Sequence, residues 1–208
     1  MKVVLALLLV TICVTSAHAQ SGVPSRYDEI FRKYSKQHFG VGFDWRIFKA
    51  QAMAESNLNP DARSWVGAKG LMQLMPATYK EIKSKNPDMG EINDPRWNIA
   101  AGIYYDSRLW RAWTDPASIT DRIRFVLSSY NAGRTTILKA QDTATQEGLD
   151  AREWPSVEVV APRVPRWRHE ETLGYVRRIQ SFYELLSTRS GFERLLPSPE
   201  PTAADPQP

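Results

Sequence analysis

Runs of apolar residues at helical spacing, each cut off by a glycine or an Asn-Pro step, follow one another through this 208-residue chain and confine it to a mainly helical fold. The first, from Pro24 to about His38, sets Tyr27, Ile30, Phe31 and Tyr34 on one face and is broken by Gly40-Val41-Gly42. Asp44 is placed to cap a second helix that runs to Glu55 or Ser56, where Asn59-Pro60 stops it. Pro76 opens a third over Ala77 to Lys85. Asp94-Pro95 opens a long fourth, to about Trp113, with Trp97, Ala101, Tyr104 or Tyr105, and Leu109 as its stripe. Thr120 or Asp121 is the predicted cap of a fifth, whose inner face is Ile123, Val126, Leu127 and Tyr130 and whose end is Gly133. Thr135 to Gln146 reads as helix, and Thr172 to about Leu186 as a final amphipathic one. Two stretches break the pattern. Asp61 to Lys69 is predicted as a loop or short hairpin, and Gly148 to Arg168, with Pro155, Pro162 and Pro165, as irregular chain in which Val157-Glu158-Val159 suits a short strand.

A core of packed helices must stabilise this chain, because its one cysteine, Cys13, falls in a segment that reads as a secretory leader. Residues 1–19 carry a positive start at Lys2, an apolar run from Val3 to about Val14 and the small-residue end Ala17-His18-Ala19, with cleavage expected before Gln20. The apolar run is shorter than the roughly 18 to 20 residues a membrane span needs. Ile12 is bulky where a lipidation signal wants a small residue, so a lipoprotein anchor is not expected and a periplasmic or secreted destination is. Cleavage leaves about 190 residues, enough for one domain, placed at 24–190 and expected to be monomeric. Residues 197–208 hold five prolines among small and acidic residues and read as a disordered tail, the feature that would serve an envelope or secretion-machinery partner. A formal charge of +4 suits an anionic envelope polymer and is too small to argue for nucleic acid.

The candidate chemistry centres on Glu55. Trp45, Phe48, Ala52 and Glu55 follow at steps of three, four and three, so the acid ends an apolar helical face. Burial there raises a carboxyl pKa toward the range a general acid needs; a helix-terminal glutamate reaching into solvent fits the same pattern. Fifteen residues on, Gly70-Leu71-Met72-Gln73-Leu74-Met75-Pro76 offers a backbone that can bend close to a ligand, a soft methionine wall, and in Gln73 both a donor and an acceptor, unless the methionines are simply core. Tyr130-Asn131-Ala132-Gly133 ends a helix with a hydrogen-bonding pair, which as core residue and cap would need no function. Glu171 heads the last helix, where the helix dipole alone accounts for an acid, and Tyr175 lies one turn on. His38 and His169 have no metal-ligand spacing around them, so no metal and no cofactor is expected. A serine nucleophile elbow and a phosphate-binding glycine loop are absent as well.

Five blocks in order, Glu55-Ser56-Asn57-Leu58-Asn59-Pro60, Gly67 to Pro76, Pro95-Arg96-Trp97-Asn98-Ile99, Tyr130-Asn131-Ala132-Gly133, and Glu171-Thr172 with Tyr175-Val176, closely resemble the family 1 lytic transglycosylases with their SLT-type catalytic domain. The resemblance covers about Tyr27 to Leu186. It implies a lysozyme-like, mainly α (α+β) domain with a small β-hairpin beside a glycan groove. It also implies cleavage of peptidoglycan strands between N-acetylmuramic acid and N-acetylglucosamine with formation of a 1,6-anhydro ring. By the family's pattern Glu55 is the catalytic residue, acid then base, and Ser64, Met72, Gln73, Tyr130, Asn131, Glu171 and Tyr175 line or support the substrate site. Asn57 and the run Arg134-Thr135-Thr136 depart from the family's usual residues. A goose-type muramidase and a wall-binding scaffold that keeps the fold are the competing readings.

Overall fold

The computed structural model describes residues 25–187, so the leader at 1–19, the tail at 197–208 and the outer edges of the predicted domain lie outside the described residues. These residues form eight α-helices: α1 (Asp28–Phe39), α2 (Arg46–Ser56), α3 (Pro76–Lys85), α4 (Pro95–Ala112), α5 (Ile119–Ala132), α6 (Arg134–Gln146), α7 (Trp154–Val160), which runs into a 3-10 turn at Ala161–Arg163, and α8 (His169–Leu186). Most boundaries are set by the signals visible in the sequence. Asp44 Oδ1 accepts the Arg46 N–H at 3.0 Å at the head of α2. Asp94 accepts from the Arg96 and Trp97 N–H groups with Pro95 behind it in α4. Ser118, rather than Thr120 or Asp121, caps α5 by accepting the Asp121 N–H at 3.0 Å.

Two expectations are corrected. Val157-Glu158-Val159 is helix, not strand: Trp154, Val157, Val160 and Ala161 are buried at helical spacing, Val159 is exposed, and Pro155 sits in the first turn where its missing N–H costs nothing. The Asp121 carboxylate, freed from capping its own helix, accepts the Trp154 N–H at 3.0 Å and fixes the start of α7. The hairpin expected between Asp61 and Lys69 is not formed as paired strands. That segment is a compact loop with isolated antiparallel bridges between Arg63 and Lys69 and between Lys69 and Leu74.

Helix α2 is the centre of the domain. Every residue from Ile47 to Met53 is buried, including Lys49, whose Nζ reaches Asp28 Oδ1 of α1 at 2.6 Å, and Gln51. Helix α8 lies along α2, α1 against α4, and α5 joins α4 to α8. Phe31, Phe125, Trp154, Tyr175 and Tyr183 are among the largest fully buried side chains. At about 1.5 to 3 kcal/mol for each large apolar group, this core replaces the covalent cross-links that the domain lacks.

Candidate active site

Glu55 occupies the last turn of α2, one residue before its end. Asn57 closes the helix in the left-handed conformation at φ +52°, and Leu58 follows at φ +58°, so the chain turns sharply away and leaves the Glu55 carboxyl at the helix terminus. Asn tolerates this backbone better than most residues with a Cβ, which gives a physical reason for its presence at a position where glycine also fits.

Tyr175 of α8 donates its hydroxyl to Glu55 Oε1 at 2.6 Å, across 120 residues of sequence. Burial pushes the Glu55 carboxyl up to about 7, and the Tyr175 hydrogen bond and the Arg178 charge pull against that rise. The rise was expected; its source differs. Phe48 lies two turns back, packed on Phe39 and Phe43, and Trp45 lies under the Arg32 guanidinium. The groups that act with the acid come instead from α4, α5 and α8, namely Asp106, Tyr130 and Tyr175. The buried Tyr130 and Tyr175 hydroxyls are held far above their usual range, first by burial and then by the Glu55 charge, so both act as donors.

The glycine-flanked loop is locked beside this carboxyl by three side chains. Ser56 Oγ donates to the Leu71 carbonyl at 2.9 Å, tying the loop to the end of α2. Asn98, buried on α4, accepts the Met72 N–H at 2.8 Å and donates to the Lys69 and Ile92 carbonyls, each at 2.9 Å. Tyr130 donates to the Met72 carbonyl at 2.8 Å. Gly70 is required twice over: its φ is +76°, and a Cβ there would lie 2.5 Å from the Asn98 amide. Gly102 on α4 makes room for the Met72 side chain, which a Cβ would approach to 2.7 Å.

The remaining predicted residues divide by what they touch. Met72 is fully buried, so it supports the loop and presents no side chain to a groove. Gln73, in the left-handed region at φ +44°, spends its amide N–H groups on the Ala62 and Gly70 carbonyls and keeps only Oε1 for a ligand. Ser64 Oγ accepts the Ala68 N–H at 3.0 Å and closes the outer loop. Asn131 Oδ1 accepts from Thr172 Oγ1 at 2.8 Å, and Thr172 in turn accepts the Trp167 indole N–H at 3.0 Å, a chain that joins the end of α5 to the start of α8. Glu171 pairs with Arg168 at 2.9 Å. Asn131, Glu171, Arg166 and Trp167 line a cavity of about 230 Å³ one turn of α8 from Tyr175. The structure thus gathers Glu55, Tyr175, Tyr130 and the loop at Met72 and Gln73 into one cluster, and places Asn131 and Glu171 beside it.

Sequence reasoning missed Ser56 and Asn98 as scaffold, and it missed a second carboxyl, Asp106 of α4. This residue is 1 % exposed and held well above the usual carboxylate range by burial and then by the Glu55 charge. The signal was available: Ile99, Gly102, Ile103, Asp106 and Leu109 are the buried stripe of α4, and an acid stands in it as Glu55 stands in that of α2. Enclosed as it is, Asp106 cannot touch a glycan, so Glu55 is the accessible acid of the cluster. Among the described residues no group of three or more His, Cys, Asp or Glu is arranged to hold a metal ion, and no helix is long and apolar enough to cross a membrane.

Comparison with known proteins agrees with this geometry. The chain is 30% identical over 175 residues to the membrane-bound lytic murein transglycosylase F of Desulfosudis oleivorans, covering 79% of this chain and 37% of that protein. It is 31% identical over 183 residues to the protein of the same name from Stutzerimonas stutzeri, covering 82% and 35%. The chain therefore spans about a third of the length of these curated relatives. Among solved structures, the 70-kDa soluble lytic transglycosylase of Escherichia coli superposes with a TM-score of 0.58 at 25% identity, covering 78% of this chain and 25% of that one. The Transglycosylase SLT domain family matches residues 32–152, more than half of the chain and including Glu55, the glycine-flanked loop and Tyr130. By that match and by its mainly helical, lysozyme-like architecture, the chain belongs to the SLT-domain transglycosylase family.

Proposed function

We propose that this protein is a peptidoglycan lytic transglycosylase that cleaves the β-1,4 bond between N-acetylmuramic acid and N-acetylglucosamine and leaves a 1,6-anhydro-muramoyl end. The observation that carries the proposal is the Glu55 carboxyl, poised at about 7 and held by the Tyr175 hydroxyl at the end of α2. A carboxyl at that value is populated in both forms at neutral pH, as a residue that must act first as acid and then as base requires. Retaining and inverting glycosidases instead use two carboxyl groups flanking the scissile bond. The other acid near Glu55, Asp106, is sealed in the core, so the second function falls to the substrate.

Protonated Glu55 gives its proton to the glycosidic oxygen as the bond to C1 breaks, and the N-acetyl oxygen of the same muramic acid closes on C1. The Glu55 carboxylate then takes the proton of the C6 hydroxyl. O6 attacks C1, the acetamide is released, and the anhydro ring closes with no water consumed. Tyr175 remains the donor to Oε1 and steadies the carboxylate between the two steps. Asn131, Glu171 and Gln73 Oε1 supply polar groups for sugar hydroxyl and acetamido atoms along the groove, with Ser64, Met72 and Tyr130 holding its walls. The domain extends over 24–190 and is delivered by its leader to the periplasm or outside the cell, where it acts as a monomer. The proline-rich tail serves an envelope or secretion-machinery partner.

Digestion of purified sacculi followed by mass spectrometry tests the reaction. Anhydro-muramoyl ends, lighter than reducing ends by one water, are expected. Reducing muramic acid ends alone would show a goose-type muramidase. An inactive Glu55→Gln variant that restores a deletion strain in full would show a scaffold.

A further inference from the structure

Gln51 stands one turn before Glu55 on α2, fully buried, and its Nε2 donates to Asp106 Oδ1 of α4 at 3.3 Å. The remaining polar atom of each side chain, Gln51 Oε1 and Asp106 Oδ2, is buried with no hydrogen-bond partner. Two unsatisfied acceptors on the same two side chains are costly as they stand, since each has lost water and gained nothing. The small cavity beside Asp106 gives little relief. It measures about 10 Å³, at the lower limit for a single water, and its other lining is apolar, with Phe48, Trp110 and Val126 among it. One proton removes both defects, because a carboxylic acid O–H at Oδ2 is a donor and Gln51 Oε1 is an acceptor. Carboxamide and carboxylic acid then form a closed reciprocal pair, N–H to Oδ1 and O–H to Oε1.

We infer that Asp106 is retained as a neutral carboxylic acid in a reciprocal pair with Gln51, and that the pair is a positioning device fixing the Glu55 turn of α2 against α4 while leaving Glu55 the one carboxyl of the cluster that ionises. The surroundings agree. The groups acting on Asp106 are Gln51 and Glu55 of α2, neither of them a cation, and Asp106 in turn acts on Tyr105 of its own helix, Tyr130 of α5 and Tyr175 of α8. Arg178 acts on Glu55. A second negative charge in this enclosure would oppose the carboxylate that Glu55 must become for ring closure. A proton held on Asp106 prevents this without requiring a buried cation. The protonation state stands on the buried geometry alone; the positioning role rests on Glu55 acting as proposed above.

The wild-type protein tests the proton directly. With carbon-13 label at aspartate, the Asp106 carboxyl resonance is expected to hold its protonated position from about pH 5 to about pH 8, and a carboxylate shift across that range would overturn the inference. Asp106→Asn is permanently neutral, and its amide can still pair with Gln51. An acid that is neutral when folded and ionised when unfolded loses stability as pH rises above about 4, so the melting temperature of Asp106→Asn should gain on wild type steadily up to about pH 8. A difference that stays flat with pH would overturn the inference. In the proposed reaction, Asp106→Asn should leave the pH midpoint that reports Glu55 in place. A fall of about one unit would mean that a native charge on Asp106 had been removed, contrary to the inference. Asp106→Leu strands both Gln51 groups and should lower kcat about tenfold or more with little change in KM, and Asn at the same position should restore it. Equal loss in the Leu and Asn variants would remove the positioning role and leave the resonance result to stand alone.

Discussion

At Glu55 two demands conflict, and the conflict yields testable signs. Burial raises the carboxyl to about 7 from an ordinary value of 4.5, so the unfolded chain ionises this group earlier than the folded one does. The resulting cost is absent below about pH 4.5, grows as pH rises through the interval to about 7, and is constant above it. Glu55→Gln should therefore abolish anhydro-product formation yet match the wild-type melting temperature at about pH 4 and exceed it at about pH 8. The gain is about 1 to 2 kcal/mol, after discounting the full linkage of about 3 kcal/mol for partial exposure to solvent. A large fall in melting temperature would make Glu55 a structural residue. Tyr175→Phe acts in the opposite direction to Arg178 and the Tyr175 hydroxyl itself, because it removes a donor that favours the carboxylate. The alkaline limb of the pH–rate profile, set by loss of the protonated Glu55 that starts the reaction, should move up by about one unit, so that the variant keeps a larger share of its peak activity at about pH 8 than the wild type does. A profile that stays in place would show that the Tyr175 hydroxyl does not set the acid's proton affinity.

At the scale of elements, the site is a loop held between three helices, and Asn98 is the residue on which that arrangement turns. Its side chain makes hydrogen bonds to three backbone groups, the Met72 N–H and the Lys69 and Ile92 carbonyls. Asn98→Ala strips the Met72 N–H and the Ile92 carbonyl of this partner, while the Lys69 carbonyl keeps the Leu74 N–H at 3.0 Å, and should cost about 2 to 3 kcal/mol, or about 4 to 12 °C in melting temperature. Because Tyr130 donates to the Met72 carbonyl, the same change should release the Tyr130 hydroxyl and reduce kcat more than KM. Scanning calorimetry with steady-state kinetics checks both. None of these links was legible in the sequence, since the Asn98 and Met72 bond spans 26 residues and its partner is a backbone group with no side-chain signature. The helices themselves were legible to within a few residues wherever a breaker stands: Pro76 and Asn86 bound α3, Pro95 opens α4 and Gly133 ends α5. Helix α7 was not, because Val157-Glu158-Val159 alternates like a strand and only the contact of Trp154 and Val157 with the core decides for helix.

At the scale of the whole molecule, the cluster is assembled from distant parts of the chain. Glu55 lies near the start of the domain, Tyr130 lies on α5 and Tyr175 on the last helix, so the carboxyl is desolvated only when α8 has docked along α2. This explains why Glu55, judged from its own helix, reads more readily as a solvated terminus: the groups that act with it, Asp106, Tyr130 and Tyr175, are 51 to 120 positions away. The five sequence blocks located the cluster by their order, whereas the direction of each side chain had to come from packing. The same distribution sets what the chain beyond α8 can do. Residues 55 to 175 contain every group named in the proposed reaction, and the core cluster of the described residues closes with Tyr183 of α8. A chain ending at residue 188 should therefore digest purified sacculi with kcat/KM within about twofold of the 208-residue chain, and should melt within about 2 °C of it, a difference of less than about 1 kcal/mol for a domain of this size. If the tail serves an envelope partner, the two forms will instead differ in cells, where the 208-residue chain restores a deletion strain and the shortened one fails despite equal activity on isolated wall. Loss of activity on isolated wall would place part of the glycan site in the tail, and equal rescue in cells would remove the partner from the proposal.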